Sequence, residues 1–195
     1  NFSDSSQSNP NHLKYQSLLD ELTNEGVVGI TMSVYDNNYG IWIGAGGKAD
    51  LHNNIEMEPC NISRMGSTVK MFTSTIVFML QEEGKINLDD QISSYLQGDN
   101  IDKIENAEMA TIRQLLQHSS GIYNYIQNLR FQTASLNDLV KTWYPNDLLQ
   151  YAYNRNAYFI PDEDVSYSNT NYILLGLLIE KIEENAEIIK ITASH

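Results

Sequence analysis

One cysteine, Cys60, and four prolines occur in 195 residues. A single thiol excludes an internal disulfide and argues against a cysteine-built metal site, so Cys60 is expected to be a small, half-buried side chain. Positive charge is scarce: 12 Lys and Arg stand against 25 Asp and Glu, a formal net charge of -13. Such a surface repels phosphate backbones and anionic headgroups, which excludes nucleic acid as an expected partner. Long apolar runs are missing too. A stretch such as TIVFML, Thr75 to Leu80, is far too short to span a bilayer, and no signal-like hydrophobic segment opens the chain. His12, His52, His118 and His195 show no ligand spacing, and no motif calls for an organic cofactor, so no metal or cofactor is expected.

What is present suits a globular protein: 42% hydrophobic residues suffice for a sizeable core in one domain. The Ser- and Asn-rich opening, NFSDSSQSNPN, reads as a flexible lead over residues 1–9. It fits a remnant left by a removed export signal or a lipid-anchored cysteine, and equally a cloning remnant. Residues 10–195 are expected to form a single domain. HLKYQSLLDELTNEG predicts a helix with Leu13, Leu18, Leu19 and Leu22 at helical spacing and Gly26 as its stop. VVGITMSVYD and IWIGAGG, joined by NNYG, predict a β-hairpin with Ile41 and Ile43 alternating. A hairpin alone is marginal, so more strands are needed to pair with it. GAGGKA lacks the spacing of a phosphate loop and reads as strand end and turn.

From Ser67 to Leu80 nearly every side of a helix is apolar, which predicts a buried helix ending at Gly84. NLDDQISSYL predicts another, capped by Asn87 or Asp89, and no strand is evident from there to Asn169. NTNYILLGLLIEKIEE predicts a second apolar helix.

At the start of the first apolar helix, GSTVKMF places Ser67 three residues before Lys70. Residues three apart share a helical face, and a first turn favours developing negative charge, so Ser67 can be a nucleophile with Lys70 as its proton partner. A Ser-x-x-Lys match arises by chance about once in a chain this long. The plain alternative is therefore that Ser67 caps a helix and Lys70 is solvated. One hundred residues on, YSN sets Tyr167 and Asn169 at the start of the second apolar helix. A tyrosine near a lysine can act as a base, and an asparagine can bond a substrate amide.

Taken together, RMGSTVKMFTSTIVFMLQEEGKINLDDQISSYL, TIRQLLQHSSGIYNY and VSYSNTNYILLGLLIEKI closely resemble the penicillin-recognising serine hydrolases, above all the class C β-lactamase and secreted D-alanyl-D-alanine carboxypeptidase group. The resemblance covers roughly residues 13–182. It implies a β-lactamase/transpeptidase-like fold, an α/β sheet part (10–60 and about 170–195) with a helical subdomain (about 61–169). It implies Ser67 as the acylated nucleophile, Lys70 and Tyr167 as partners in proton transfer, and Asn169 as the group that binds the substrate carbonyl or lactam side chain. His118, in LLQHSSG, belongs to a structural loop by the same resemblance and is expected to be a hydrogen-bonded core histidine. The implied activity is D-alanyl-D-alanine carboxypeptidase or transpeptidase action on cell-wall peptides by an exported protein. A class C-like β-lactamase, an esterase, and a non-catalytic peptide- or lactam-binding module are the alternatives. The implied partners are a D-alanyl-D-alanine stem or a β-lactam.

The family's third motif, Lys or His, then Thr or Ser, then Gly, has no match after Asn169. Its strand would supply one of two oxyanion donors and would help complete the sheet. The C-terminal strands are therefore expected to be missing, apart from a short strand at IIKIT; of a fragment, a sequence with a stretch omitted and a naturally shortened protein, an incomplete sequence is the favoured expectation.

Overall fold

The computed structural model describes residues 6–98 and 100–183. The chain divides into two compact units, Asn1–Arg64 and Met65–His195. The expected strand at 188–192 and the first residues of the lead lie outside the described residues.

In the first unit, α1 (His12–Asn24) precedes a three-stranded antiparallel sheet ordered β1 (Gly29–Asp36), β2 (Gly40–Asp50), β3 (Ile55–Glu56). Asp36 closes the hairpin, its Oδ1 accepting from the backbone N–H groups of Asn38 and Tyr39 at 2.8 and 3.2 Å. The alternation of β2 turns Trp42, not Ile41, inward. Ile41 is exposed and Trp42 fully buried. The indole decides the parity. Its Nε1–H donates to His12 Nδ1 (3.1 Å) and its ring lies 5.1 Å from that of Tyr15, so the largest apolar side chain of the strand takes the helix side. Gly44 leaves room for it, since a Cβ there would collide with the indole. On α1 only Leu19 is fully buried, while Leu13 points to solvent. Within residues 6–9, read from the sequence as part of a flexible lead, Ser6 and Asn9 are buried while Gln7 and Ser8 are exposed, and Ile43 N–H donates to Ser6 Oγ at 2.9 Å. Cys60 is exposed rather than half-buried, because its loop carries no apolar side chain into a core.

The second unit is helical among its described residues: α2 (Val69–Glu82), α3 (Ile112–Leu116), α4 (Leu129–Asn137), α5 (Pro145–Leu149) and α6 (Asn169–Ile182), with short 3₁₀ turns between. Its core joins Val77 and Leu80 of α2 to Leu174, Leu175 and Leu178 of α6, and reaches Leu115 and Leu148. Phe131 anchors an aromatic cluster, 4.9 Å from Tyr125 and 5.4 Å from Trp143 and from Tyr151. Two helix expectations change. The segment from Asn87 to Leu96 forms only a 3₁₀ turn at Ile92–Ser94, because Ile92 N–H is drawn to Ala110 O (3.0 Å) and Gln91 bridges to Thr111, which leaves no local ladder to extend. And α2 is not buried all round: Met71, Phe72, Phe78 and Met79 are each at least half exposed, since only the Val77 and Leu80 side meets α6.

Candidate active site

A single helical turn carries Ser67 and Lys70. Gly66–Thr68 form a 3₁₀ turn that runs directly into α2, so the two side chains project from one face. The partners come from the turn that enters α6. That turn is fixed by buried polar side chains rather than by apolar packing. Thr170 Oγ1 donates to Tyr123 O (2.6 Å) and accepts from Tyr125 N–H (3.1 Å). Asn171 Nδ2 donates to Leu115 O (3.2 Å), and its Oδ1 accepts from Ser120 Oγ (2.9 Å). All three of these side-chain bearers, Ser120, Thr170 and Asn171, are essentially inaccessible. A buried polar group left unpaired costs about 1–3 kcal/mol, so each bond holds the turn in place.

The result brings Ser67, Lys70, Tyr167 and Asn169 together. Ser67 Oγ and Tyr167 OH are 2.8 Å apart, and Lys70 Nζ donates to Ser67 Oγ at 3.3 Å and to Asn169 Oδ1 at 2.7 Å. The ammonium also lies 5.1 Å from the Tyr167 ring and 5.3 Å from the Tyr172 ring, within cation–π range. Ser67 is exposed and Lys70 half-buried, so a substrate can reach the hydroxyl while the amine stays oriented. The phenol and the amine both touch the serine oxygen and can exchange its proton.

Two further residues shape this group. Asn124 was not singled out in the sequence. Its Oδ1 accepts from both the backbone N–H and the Nδ2 of Asn169, at 3.1 and 3.2 Å. Asn169 is thereby pinned with its Oδ1 toward Lys70 and one amide N–H left for another acceptor. The only signal was an Asn in SGIYNY, indistinguishable in type from a turn residue. His118 sits where the resemblance implied, as a packed, hydrogen-bonded histidine. Its Nδ1 accepts from Ser168 N–H (3.2 Å), its carbonyl accepts from Ser166 N–H (3.0 Å), and its ring lies 4.5 Å from Tyr167. Burial, and then the Lys70 charge, hold its pKa below 6.5, which keeps Nδ1 free to accept. Tyr125, beneath the turn, is pushed up to about 12 by burial and then by Tyr167.

The loop bearing Asn124 is tied at Gly121, whose φ of +68° and contact with Phe159 O leave no room for a Cβ. Asn106 Nδ2 spans Ser120 O and Phe159 O at 2.9 and 2.8 Å. Among the described residues no group of His, Cys, Asp and Glu could hold a metal ion.

The chain belongs to the Beta-lactamase family, whose profile matches residues 16–190. Over 148 residues it is 30% identical to protein flp of Staphylococcus aureus (strain COL), an alignment taking in 76% of this chain and 28% of that protein. A D-stereospecific amidohydrolase from Streptomyces sp. superposes with a TM-score of 0.78 at 33% identity, over 90% of this chain and 51% of the other. The octameric penicillin-binding protein homologue from Pyrococcus abyssi gives 0.70 at 27% identity, over 87% and 38%. The fold is thus β-lactamase-like, with helices and a small three-stranded sheet, and the chain spans about a quarter to a half of the length of these relatives.

Proposed function

We propose that this chain carries the nucleophile and proton-transfer groups of a serine hydrolase that works through an acyl-enzyme, as a carboxypeptidase or transpeptidase on peptides ending in D-alanyl-D-alanine. The observation that carries this reading is Ser67 Oγ, held 2.8 Å from Tyr167 OH and 3.3 Å from Lys70 Nζ. Ser67 Oγ attacks the amide carbonyl as its proton passes to the Tyr167 and Lys70 pair. The oxyanion forms at the first turn of α2, where backbone N–H groups and the helix dipole favour it. Collapse breaks the C–N bond, and the pair returns the proton to the departing amine. Water then attacks the ester by the same route and frees Ser67. The remaining N–H of Asn169 is placed to donate to a substrate carbonyl. Cell-wall peptides lie outside the cytoplasm, so an exported protein is part of the proposal.

Similarity to the Streptomyces enzyme, a D-stereospecific amidohydrolase, supports a second reading, hydrolysis of D-amino-acyl amides. A class C-like β-lactamase, an esterase and a non-catalytic binding module share the pocket but differ in turnover.

Intact mass before and after incubation with benzylpenicillin, with Ser67→Ala as control, is the test. A stable adduct absent from Ser67→Ala is the expected result, and released D-alanine from a D-alanyl-D-alanine peptide separates the peptidase from an amidase, which would release ammonia from a D-amino-acid amide. Rapid consumption of penicillin would favour a lactamase. A folded full-length protein that forms no adduct and cleaves none of these substrates would sink the catalytic reading.

A further inference from the structure

Beside the Asn124 loop lies a cavity of about 510 Å³ lined by Tyr123, Asn154, Arg155, Asn156, Ala157 and Tyr158. Its wall is continuous with the site just described. Asn124 N–H donates to Tyr158 OH (3.0 Å), Tyr158 N–H donates to Gly121 O (2.8 Å), and Tyr123 O accepts from Thr170. The phenol of Tyr158 in turn donates to Gln127 Oε1 (2.8 Å), so this wall is fixed from both sides. The Asn154–Asn156 stretch of the lining is built differently. The Arg155 guanidinium stands 6.0 Å from the Tyr123 ring and has no carboxylate partner among the described residues, although carboxylates outnumber cations two to one in this chain. The side-chain amides of Asn154 and Asn156 make no hydrogen bond among the described residues either. Asn154 is engaged through its backbone, by Lys103 O at 2.7 Å. The Glu105 carboxylate accepts from Ala157 N–H (2.7 Å) and so braces this loop.

The solvent-exposed residues Asn154, Arg155 and Asn156 thus line one cavity without a side-chain bond to another described residue, next to the residue that orients Asn169. A planar fork on an aromatic face, flanked by two amides, matches a carboxylate. We propose that this cavity is a subsite for a carboxylate borne on the acyl side of the substrate, with Arg155 as its specificity-determining residue. The proposal rests on the acyl-enzyme reading above. The net charge of -13 opposes any anion at long range, so a preference for an acidic substrate must come from local contacts of this kind.

The test separates binding from chemistry. In full-length protein carrying Ser67→Ala, calorimetry compares N-succinyl-D-alanyl-D-alanine with its N-succinamoyl counterpart, which differs only by replacement of the distal carboxylate with an amide. The acid should bind about 10-fold more tightly, as a charge-assisted bond implies. Adding Arg155→Ala should abolish that preference, and Arg155→Lys should keep part of it. With Ser67 restored and Arg155 intact, benzylpenicillin should give the mass adduct, which tests the acyl-enzyme reading separately. Equal binding of the two probes, or an equal loss for both in Arg155→Ala, would overturn the subsite. Failure of the Ser67 protein to be acylated, with the binding preference intact, would overturn the acyl-enzyme reading instead and leave the subsite standing.

Discussion

Asn124 holds Asn169 by two hydrogen bonds, which makes it a positioning residue. Asn124→Ala should slow acylation of Ser67 roughly 10- to 100-fold, the effect of a lost bond worth about 1.5–3 kcal/mol, while the final adduct is still formed. Asn124→Asp, which retains the acceptor, should recover much of the rate; stopped labelling with a fluorescent penicillin measures both. His118 gives a pH dependence. Its folded pKa is depressed, so the unfolded chain takes up the proton first, and stability is lost as pH falls below about 6.5 toward the lowered value. Protonation also removes the acceptor that holds Ser168 N–H. His118→Asn, a residue that tolerates the φ of +63° found there, should flatten the acid limb of melting temperature against pH. At this scale the motif residues were legible, because Ser67, Lys70, Tyr167 and Asn169 sit in blocks of recognisable order. Asn124 and Arg155 were not, because their meaning depends on which loop folds beside them.

Helix α2 shows what periodicity tells and what it leaves out. The sequence marked an apolar helix with a stop at Gly84, and the chain does end it there, Lys85 N–H reaching back to Leu80 O at 3.0 Å. Composition could not say which apolar side chains find partners. Leu80 lies in the core and Phe78 does not, so Leu80→Ala should cost about 2–5 kcal/mol while Phe78→Ala in the 195-residue chain should stay within about 0.5 kcal/mol. Urea unfolding of the two variants compares them directly. The hairpin, too, was legible from its turn residues, but its inward face was set by Trp42, whose burial follows from His12 and Tyr15 on a different element. The helix read over Asn87 to Leu96 failed because backbone groups there bond to a strand-like partner twenty residues away in sequence, which no local propensity registers.

For the whole molecule, the Met65–His195 unit contains its own core and all four site residues. A truncation to 65–195 should therefore keep the near-UV signal of the Phe131 and Trp143 cluster and melt cooperatively; a featureless near-UV spectrum would refute this independence. Ser67 and Lys70 arrive on one turn of helix, whereas Tyr167 and Asn169 join from a hundred residues further along the chain. Until α6 docks on α2 the serine is an ordinary alcohol. Refolding kinetics should then show helix signal returning before labelling competence, with the lag between them timing the closure of that long loop.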